Sequence, residues 1–240
     1  MAERAVVKAV EVVVWLRTLI YEKTLSTGMR LPSERVISEQ LQTSRVTTRE
    51  ALKMLETQGL IYRSNRRGWF VTPPRINYDP GRAMFFMEYV AEQGFKPFSH
   101  QISKKRVLAD TALASLLSIE EGDSLVELKR VRGADNRPVY VETILLPERR
   151  LPGIYDHDLA HSVTTVLKEE YNKPCMNVEL EVISSSLDKD AAELLQAPVG
   201  YTSVEIHRVS RDAQGALVEY DVEHWRHDAL KLKVEFNIRS

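Results

Sequence analysis

Two short amphipathic segments that follow one another almost without a gap constrain the fold of this sequence most. Each begins with a serine, Ser33 or Ser44, and serine commonly caps a helix N-terminus. The second segment ends near Gly59, a typical helix stop, and only Gln42 and Thr43 lie between the two segments. Two short helices joined by so tight a turn predict a helix-turn-helix.

Elements on both sides of this pair complete a small domain. A longer helix is predicted at residues 5–23, and residues 60–63 and 69–71 have the composition of two strands joined by the polar turn 64–68. We therefore predict a winged helix-turn-helix domain over residues 1–72. The apolar side chains predicted to face its core are Val6, Val10, Val13, Val14, Leu16, Ile20, Val36, Ile37, Leu41, Val46, Ala51, Leu52 and Leu55.

The second helix of the pair has a basic face. Arg45, Arg49 and Lys53 recur every four residues, opposite the apolar stripe, and Arg49 is placed to contact a guanine edge through two N–H groups. The hydroxyls at its start, which suit phosphate oxygens at a helix N-terminus, belong to Ser44, Thr47 and Thr48. For an isolated basic stripe, a solvated amphipathic helix is the alternative. The ordered set of two capped helices, a tight turn and a basic hairpin favours DNA binding.

The distribution of charge agrees with a nucleic-acid partner for the first domain. The whole chain has a formal net charge of −1, but residues 1–72 hold 12 Lys and Arg against 7 Asp and Glu, which gives +5 and leaves −6 for the rest. The single cysteine, Cys175, permits no intrachain disulfide and suits a reducing compartment. Because we find no signal-like segment and no apolar run long enough to cross a bilayer, we predict a cytoplasmic protein that is neither exported nor membrane-spanning.

A change of pattern after residue 72 predicts a second domain. Residues 73–94 form a predicted linker and connecting helix, and beyond them polar turns join strand-like stretches as hairpins. The strands are predicted near residues 99–107, 125–134, 138–146, 176–187, 202–211, 216–226 and 230–236, and the helices near 84–93, 110–118, 163–172 and 188–196. The pattern predicts an α+β domain with an antiparallel sheet over residues 95–240.

The first domain resembles the GntR family of winged-helix repressors. The segments that carry the resemblance are Leu31–Arg35, Ser44–Leu52, Leu60–Arg63 and Gly68–Val71. It implies DNA contacts by Arg35, Ser44, Arg45, Thr47 and Arg49, to which the hydroxyls at the helix start add Thr48. It also implies that Gly68 lets the tip of the wing enter the minor groove. Arg66 and Arg67 in the wing turn either strengthen that contact or are solvated loop residues.

The second domain resembles the UTRA domain of the HutC subfamily, whose fold is shared with chorismate lyase. The segments that carry this resemblance are Leu128–Arg132, Tyr140–Thr143, Asp158–Ser162, Val218–Tyr220 and Trp225–Asp228. It implies a domain that binds a small-molecule effector and forms a dimer. The candidate effector-binding residues are Arg130, Arg132, Glu142, His161, Ser162, Glu219, Tyr220 and Trp225.

The residue types in this candidate site suit an anion. Arg130 and Arg132 lie two apart on a predicted strand, so both guanidinium groups leave one face and can converge on one anion. Ser162 opens a predicted helix whose N-terminus suits phosphate. Glu142 and Glu219 lie on other strands and could accept hydrogen bonds from hydroxyl or ammonium groups, and Asp221 is a further candidate to hold an ammonium. Each group also has a simpler interpretation. Ser162 could be only a helix cap, and Glu219 could be an exposed strand residue. The two arginines could be surface charges paired with Glu127 or Glu142.

These groups predict a small phosphorylated or phosphonate metabolite as the effector. Residues 223–229 and 73–75 resemble regulators of aminoethylphosphonate use, which makes 2-aminoethylphosphonate the specific candidate and an amino-sugar phosphate the alternative. The other expected partners are a pseudo-palindromic double-stranded DNA operator and a second copy of the chain. A homodimer is expected because one small winged helix makes too few contacts for tight specific binding.

We predict no catalytic residue, cofactor or metal. The sequence has no nucleophile elbow, Gly-rich phosphate loop or paired-cysteine motif, and histidines such as His207, His224 and His227 on strands are more often packed or exposed than metal-bound. Two alternatives to a sensing regulator remain. One is an enzyme with the chorismate-lyase-like fold, and the other is a constitutive architectural DNA-binding protein.

Overall fold

The chain divides into two compact units. The structure, a computed structural model, describes residues 2–64, 67–81 and 85–235. The first unit comprises the residues up to Arg75 together with 227–229, and the second comprises 76–226 and the residues from Leu230 onward. The limits of 1–72, 73–94 and 95–240 that we expect for the two domains and their linker stay a prediction.

The first unit contains three helices and a two-stranded hairpin. In chain order they are α1 (Ala2–Tyr21), α2 (Glu34–Gln40), α3 (Arg45–Thr57), β1 (Ile61–Ser64) and β2 (Gly68–Val71). The Ser33 hydroxyl accepts a hydrogen bond from the Val36 N–H, and the Ser44 hydroxyl accepts one from the Thr47 N–H, so both predicted caps are confirmed. The strands β1 and β2 pair antiparallel, which confirms the predicted wing hairpin.

The core of the first unit lies on a different face of α1 from the one predicted. Val13 and Leu16 are buried as expected, whereas Val6, Val10 and Val14 are 63%, 45% and 53% exposed. Their places in the core are taken by Ala9 and Val12. The prediction was wrong because this helix is apolar on more than one side, so the sequence period alone does not select the face that packs.

The core faces of α2 and α3 were predicted more accurately. Ile37, Leu52 and Leu55 have no exposed surface, in agreement with the pattern. Val36 and Val46, by contrast, are 38% and 67% exposed. Both lie within the first turns of their helices, where the burial predicted from sequence was wrong.

The second unit is built on one six-stranded antiparallel sheet, in the strand order β4, β5, β6, β9, β8, β7. Its elements in chain order are β3 (Ile76–Tyr78), α4 (Phe86–Glu92), β4 (Pro97–Leu108), α5 (Thr111–Leu117), β5 (Ser124–Ala134), β6 (Arg137–Pro147), a 3₁₀ helix (Ile154–Asp156), α6 (Val163–Glu169), β7 (Asn177–Ser186), α7 (Lys189–Leu194), β8 (Thr202–Arg211), β9 (Leu217–Arg226) and β10 (Leu230–Leu232). The expected α+β class is confirmed. The short strands β3 and β10 pair in parallel beside the main sheet.

Helices cover both faces of this sheet. On one face, which we call the α6 face, Leu128 and Ile144 pack against Leu159 and Val163. On the other face, α5 and α7 cover residues such as Val131. Since side chains alternate along a strand, β5 directs Val131 to one face and its neighbours to the α6 face. None of the helices in the described residues has the length and apolar character needed to cross a membrane.

Candidate functional site

A basic groove of about 390 Å³ runs across the first unit. Its walls come from the segment before α2, from the starts of α2 and α3, and from the wing hairpin. In the part of the chain that the structure describes, the cationic side chains that line it are Arg30, Arg35, Arg45, Arg49 and Arg63, and they share it with the carboxylate of Glu34. The groove therefore joins the predicted recognition helix and the wing in one positive surface.

The polar side chains at the start of α3 differ in their exposure to solvent. Arg45 and Ser44 are exposed, and the Ser44 and Thr47 hydroxyl oxygens lie 2.9 Å apart. Thr47 is only 6% exposed, and Thr48 has no exposed surface. The Thr48 hydroxyl is turned into the domain without a hydrogen-bond partner, so it cannot reach DNA from this position. We therefore remove Thr48 from the candidate DNA contacts.

Arg49 forms an ion pair with Glu34 that connects α3 to α2. The Arg49 Nη2 lies 2.8 Å from Glu34 Oε2, and the Arg49 Nε lies 3.3 and 3.4 Å from the two carboxylate oxygens. The hydrogen bond from Arg49 is the main cause that lowers the pKa of Glu34, and a hydrogen bond from the Trp69 side chain lowers it further. Arg49 is thus held in a defined position although it is exposed.

The remaining predicted DNA contacts lie around this pair. Arg35 forms an exposed pair with Glu39 at 2.9 Å, a kind of pair that contributes little to stability. Gly68 has a φ of +101°, and a Cβ built there would lie 3.3 Å from the Arg30 Nε, so the position favours glycine. The Arg67 guanidinium lies 5.3 Å from the centre of the Phe70 ring. Arg66, also a candidate, lies outside the described residues.

Arg30 and Arg63 also line the groove, although no sequence motif marked them as candidate DNA contacts. Arg30 forms an isolated β-bridge with Phe70, and Arg63 stands on β1 with its guanidinium 6.0 Å from the Trp69 ring centre. Alternation within β1 gives no signal for Arg63, because Ile61, two residues earlier and fully buried, would place it on the core face. No local pattern indicates Arg30, since its place in the groove depends on contact with the wing.

A cluster of buried charges occupies the α6 face of the second unit. Arg130 and Arg132 both donate through Nε to the same oxygen of Glu142, at 2.7 and 2.6 Å. Arg130 also donates to the Leu159 carbonyl, and Arg132 donates to the His161 carbonyl at 3.0 Å. The two arginines do leave one face of β5, and the pairing with Glu142, which we held open as an alternative, is present. They also hold the backbone that leads into α6.

Arg130, Arg132 and Glu142 form a triad in which close contact between opposite charges offsets the cost of burying them. Burial by itself would raise the pKa of Glu142, but attraction and hydrogen bonds from Arg130 and Arg132 outweigh it and lower this pKa to about 2. For Arg132, burial lowers the pKa, and the charge of Glu142 more than compensates, so its pKa is raised. Glu142 and Arg132 are therefore both ionised at neutral pH, inside an almost fully buried site.

Three more carboxylates lie on β9 beside the triad. Glu219, Asp221 and Glu223 are each at most 6% exposed. Arg208 on β8 lies 2.8 Å from a Glu223 oxygen and 3.7 Å from Asp221. Burial raises the pKa of Asp221 well above its ordinary value, and Arg208 only partly offsets this. The second Asp221 oxygen has no hydrogen-bond partner.

Aromatic rings border these charges. Trp225 stacks on Tyr140 with 4.1 Å between ring centres, and its indole N–H donates to Glu223 at 2.5 Å. Phe86 packs edge-on against Tyr140, and the Arg132 guanidinium lies 5.3 Å from the Phe86 ring centre. The structure thus brings together Arg130, Arg132, Glu142, Glu219 and Trp225 from the predicted site. It adds Arg208, Asp221 and Glu223, of which sequence analysis did not single out Arg208 and Glu223.

The other predicted effector residues are placed differently. The Ser162 hydroxyl caps α6, accepting a hydrogen bond from the Thr165 N–H at 3.1 Å, and the His161 side chain is exposed. Tyr220 lies on the opposite face of the sheet, where its hydroxyl contacts His207 Nδ1 at 2.8 Å. Because β9 alternates its side chains, Tyr220 cannot join the site that its neighbours form, and we remove it.

No group of three or more His, Cys, Asp or Glu side chains in the described residues is placed to hold a metal ion. His207 instead contacts Glu205 at 2.6 Å as well as Tyr220. His224 lies 3.7 Å from the other Glu205 oxygen. These histidines are thus part of a small polar cluster on the sheet.

Comparison with known proteins matches both units to families. Residues 8–71 match the family described as bacterial regulatory proteins, gntR family, and residues 92–231 match the UTRA domain. The chain belongs to the gntR family of bacterial regulators. It is 33% identical over 211 residues to the uncharacterized HTH-type transcriptional regulator YihL of Escherichia coli, covering 85% of this chain and 87% of YihL. The resemblance to this family that we noted in the sequence is confirmed.

Two further relatives agree with this assignment. The HTH-type transcriptional repressor NagR of Bacillus subtilis is 27% identical over 213 residues, covering 89% of this chain and 88% of NagR. The crystal structure of PhnF from Mycobacterium smegmatis has a TM-score of 0.67 and 25% identity, covering 95% of this chain and all of that one. The gntR-family chain is therefore a transcriptional regulator with an effector-binding UTRA domain. YihL and NagR are named as an HTH-type transcriptional regulator and repressor, respectively, in agreement with a DNA-binding first unit.

Proposed function

We propose that this regulator is a cytoplasmic repressor that binds a pseudo-palindromic operator as a homodimer and changes its operator affinity when a small anionic metabolite binds the α6 face. The observation that carries the DNA part is the groove in which Arg45, Arg49 and Arg63 converge. The rest of the proposal rests on the charges of the second unit.

Within the groove, we assign different roles to different arginines. Arg45 and Arg49 stand on the exposed face of α3, from which a recognition helix contacts base edges in the major groove. Arg30 and Arg63 flank them and suit phosphates, which position the protein without reading sequence.

Other groups of the first unit would add phosphate and minor-groove contacts. Ser44 at the helix start and Arg35 in the groove suit phosphate oxygens, and the Thr47 hydroxyl would support Ser44 from 2.9 Å away. Arg67, Gly68 and Arg66 belong to the wing turn, which we propose enters the minor groove.

Arg49→Ala should weaken binding to the specific operator by about 1–3 kcal/mol, because a bidentate guanine contact is lost. Preference should relax at one base pair of each half-site, while binding to unrelated DNA changes much less. Fluorescence anisotropy with a duplex selected from a randomised pool measures both affinities, and stoichiometric titration should give two chains for each pseudo-palindrome.

Lys53→Ala is the matched control for this experiment. Lys53 is exposed on the same helix two turns further from the helix start than Arg45. Its loss should weaken specific and unrelated DNA alike. If Arg49→Ala also weakened both equally, or weakened neither, a base-reading role for Arg49 would be wrong.

The charges of the α6 face support an effector that carries opposite charges at its two ends. Among the described residues on the β5 and β6 side, two guanidiniums, those of Arg130 and Arg132, face the one carboxylate of Glu142. On the β8 and β9 side, the one guanidinium of Arg208 lies near three carboxylates, those of Glu219, Asp221 and Glu223. The first side has more cationic than acidic groups, beside the start of α6. The second side has more acidic than cationic groups, and burial raises the pKa of all three of its acids. A phosphonate or phosphate on the first side and an ammonium on the second would balance both.

This arrangement favours 2-aminoethylphosphonate as the effector, with an amino-sugar phosphate as the second candidate. Arg130, Arg132 and Ser162 would hold the anionic group, with the backbone at His161 in place beside them. Glu219 or Asp221 would accept hydrogen bonds from the ammonium, and Trp225 would form an apolar wall. An ammonium beside the unpartnered Asp221 oxygen would offset the burial, and then the repulsion by neighbouring carboxylates, that raise the pKa of Asp221.

Isothermal calorimetry with the whole protein should show binding of 2-aminoethylphosphonate and weaker binding, by on the order of 10-fold or more, of ethylphosphonate, which lacks the ammonium. Asp221→Asn should reduce this preference, because it removes the carboxylate charge. Arg132→Lys, checked for folding by its thermal midpoint, should weaken both ligands. Absence of heat with these phosphonates and with hexosamine 6-phosphates, or unchanged binding in the Arg132 variant, would contradict the proposed ligand class.

A further inference from the structure

We infer that Glu34 is a specificity-determining positioning residue of the DNA interface, because it fixes the guanidinium of Arg49 in the orientation that reads a base. This inference rests on the proposed contact between Arg49 and DNA. It concerns a carboxylate in a groove whose other charged side chains, among the described residues, are arginines, so that its negative charge opposes phosphate binding.

The contact between Glu34 and Arg49 is made side-on. It uses the Arg49 Nε and Nη2 groups, at 3.3 and 2.8 Å from Glu34 Oε2. An arginine has five N–H donors, so this pair leaves free the two donors on Nη1 and one on Nη2. Those donors form the end-on fork, whose spacing matches the O6 and N7 acceptors of guanine. Glu34 thus occupies the side of the guanidinium that a guanine does not need.

Glu34 is itself held in place. It is the first residue of α2, directly after the Ser33 cap, and its side chain is 24% exposed against 59% for Arg49. The Trp69 side chain, which is 7% exposed on β2 of the wing, lines the same groove and also lowers the pKa of Glu34. The carboxylate therefore links α2 and the wing to the exposed guanidinium on α3.

Fixing an arginine in this way changes selectivity more than affinity. A free arginine has many rotamers and can reach phosphates in any sequence, whereas a held guanidinium offers its fork in one direction. The Glu34 charge also repels the phosphate backbone, which weakens binding to every sequence alike. Holding the fork in one direction therefore raises the ratio of specific to non-specific affinity, whereas the repulsion lowers both affinities and leaves their ratio unchanged.

The alternative is that Glu34 only joins two helices of the fold. Such a role predicts lower thermal stability in a Glu34 variant, with equal losses on all DNA sequences. A positioning role predicts a change in discrimination at the base pair that Arg49 contacts. The two roles are therefore separated by comparing duplexes and not by affinity alone.

The test uses Glu34→Gln in the whole protein, with anisotropy titrations on the selected operator, on operators with each guanine replaced, and on unrelated DNA over a range of salt. We expect unrelated DNA to bind more tightly, discrimination at the Arg49 base pair to fall by about 10-fold, and discrimination elsewhere to stay unchanged. The salt dependence on unrelated DNA should become steeper by about one phosphate contact.

Glu39→Gln is the matched control. It removes the same charge from the same helix and frees Arg35 from an exposed pair at 2.9 Å, but it does not touch Arg49. It should raise affinity for unrelated DNA without changing discrimination at the Arg49 position. If Glu34→Gln behaves like Glu39→Gln, or loses affinity for all duplexes together with thermal stability, the inference is overturned. Arg49→Ala, run in parallel, shows separately whether Arg49 reads a base at all.

Discussion

Glu142→Gln should lower the free energy of unfolding of the second unit by about 3–5 kcal/mol, because it leaves two buried guanidiniums without their shared counter-charge. Arg130 and Arg132 are 2% and 5% exposed and both donate to one Glu142 oxygen, so water cannot replace the lost carboxylate. Urea unfolding, monitored through hydrogen exchange of peptides from β5 and β6, measures the change in that unit.

Glu127→Gln is the control for this prediction, because it removes a carboxylate of the neighbouring strand β5 from an exposed pair. Glu127 lies 3.0 Å from Lys105, whose side chain is 59% exposed. An ion pair so open to water is worth about 1 kcal/mol or less. Equal destabilisation by the two substitutions would mean that burial of the triad contributes nothing.

The same carboxylate should make the second unit sensitive to acid. Since the pKa of Glu142 falls from its ordinary value of 4.5 to about 2 on folding, its stabilisation is complete above pH 4.5 and is lost as the pH falls toward 2. A shift of this size corresponds to about 3 kcal/mol. Stability measured across this range should fall less steeply in Glu142→Gln than in the wild type.

Leu52→Ala should destabilise the first unit by about 2–5 kcal/mol, because it leaves a cavity in the middle of the core. Leu52 has no exposed surface and belongs to the cluster that includes Leu16, Ile37 and Ile61. Urea unfolding, followed through hydrogen exchange of peptides from α1 and α3, measures the effect on this unit.

Val46→Ala on the same helix should change stability by about 0.5 kcal/mol or less. Val46 is 67% exposed, although the sequence pattern had placed it with Leu52 in the core. A loss in Val46→Ala as large as that in Leu52→Ala would show that the start of α3 packs differently from the structure described above.

Features that depend on local chemistry were predictable from the sequence. The Ser33, Ser44 and Ser162 caps were each identified by a hydroxyl residue before a periodic segment, and each accepts the expected backbone N–H. The strand β5 was recognised by its β-branched and alternating residues, and the two-residue period placed Arg130 and Arg132 on one face. These features need only neighbouring residues, so no knowledge of the rest of the fold was required.

Features that depend on which surfaces meet were decided by the tertiary structure. The sequence of α1 offers apolar residues on several sides, and only packing against α3 selects Val12 over Val14 for the core. The pair of Arg49 with Glu34 joins residues 15 apart, and Arg208 meets Glu223 only because β8 pairs with β9. Local sequence determines the period and the ends of each element, but the partner of an exposed or buried charge depends on elements brought together across the chain.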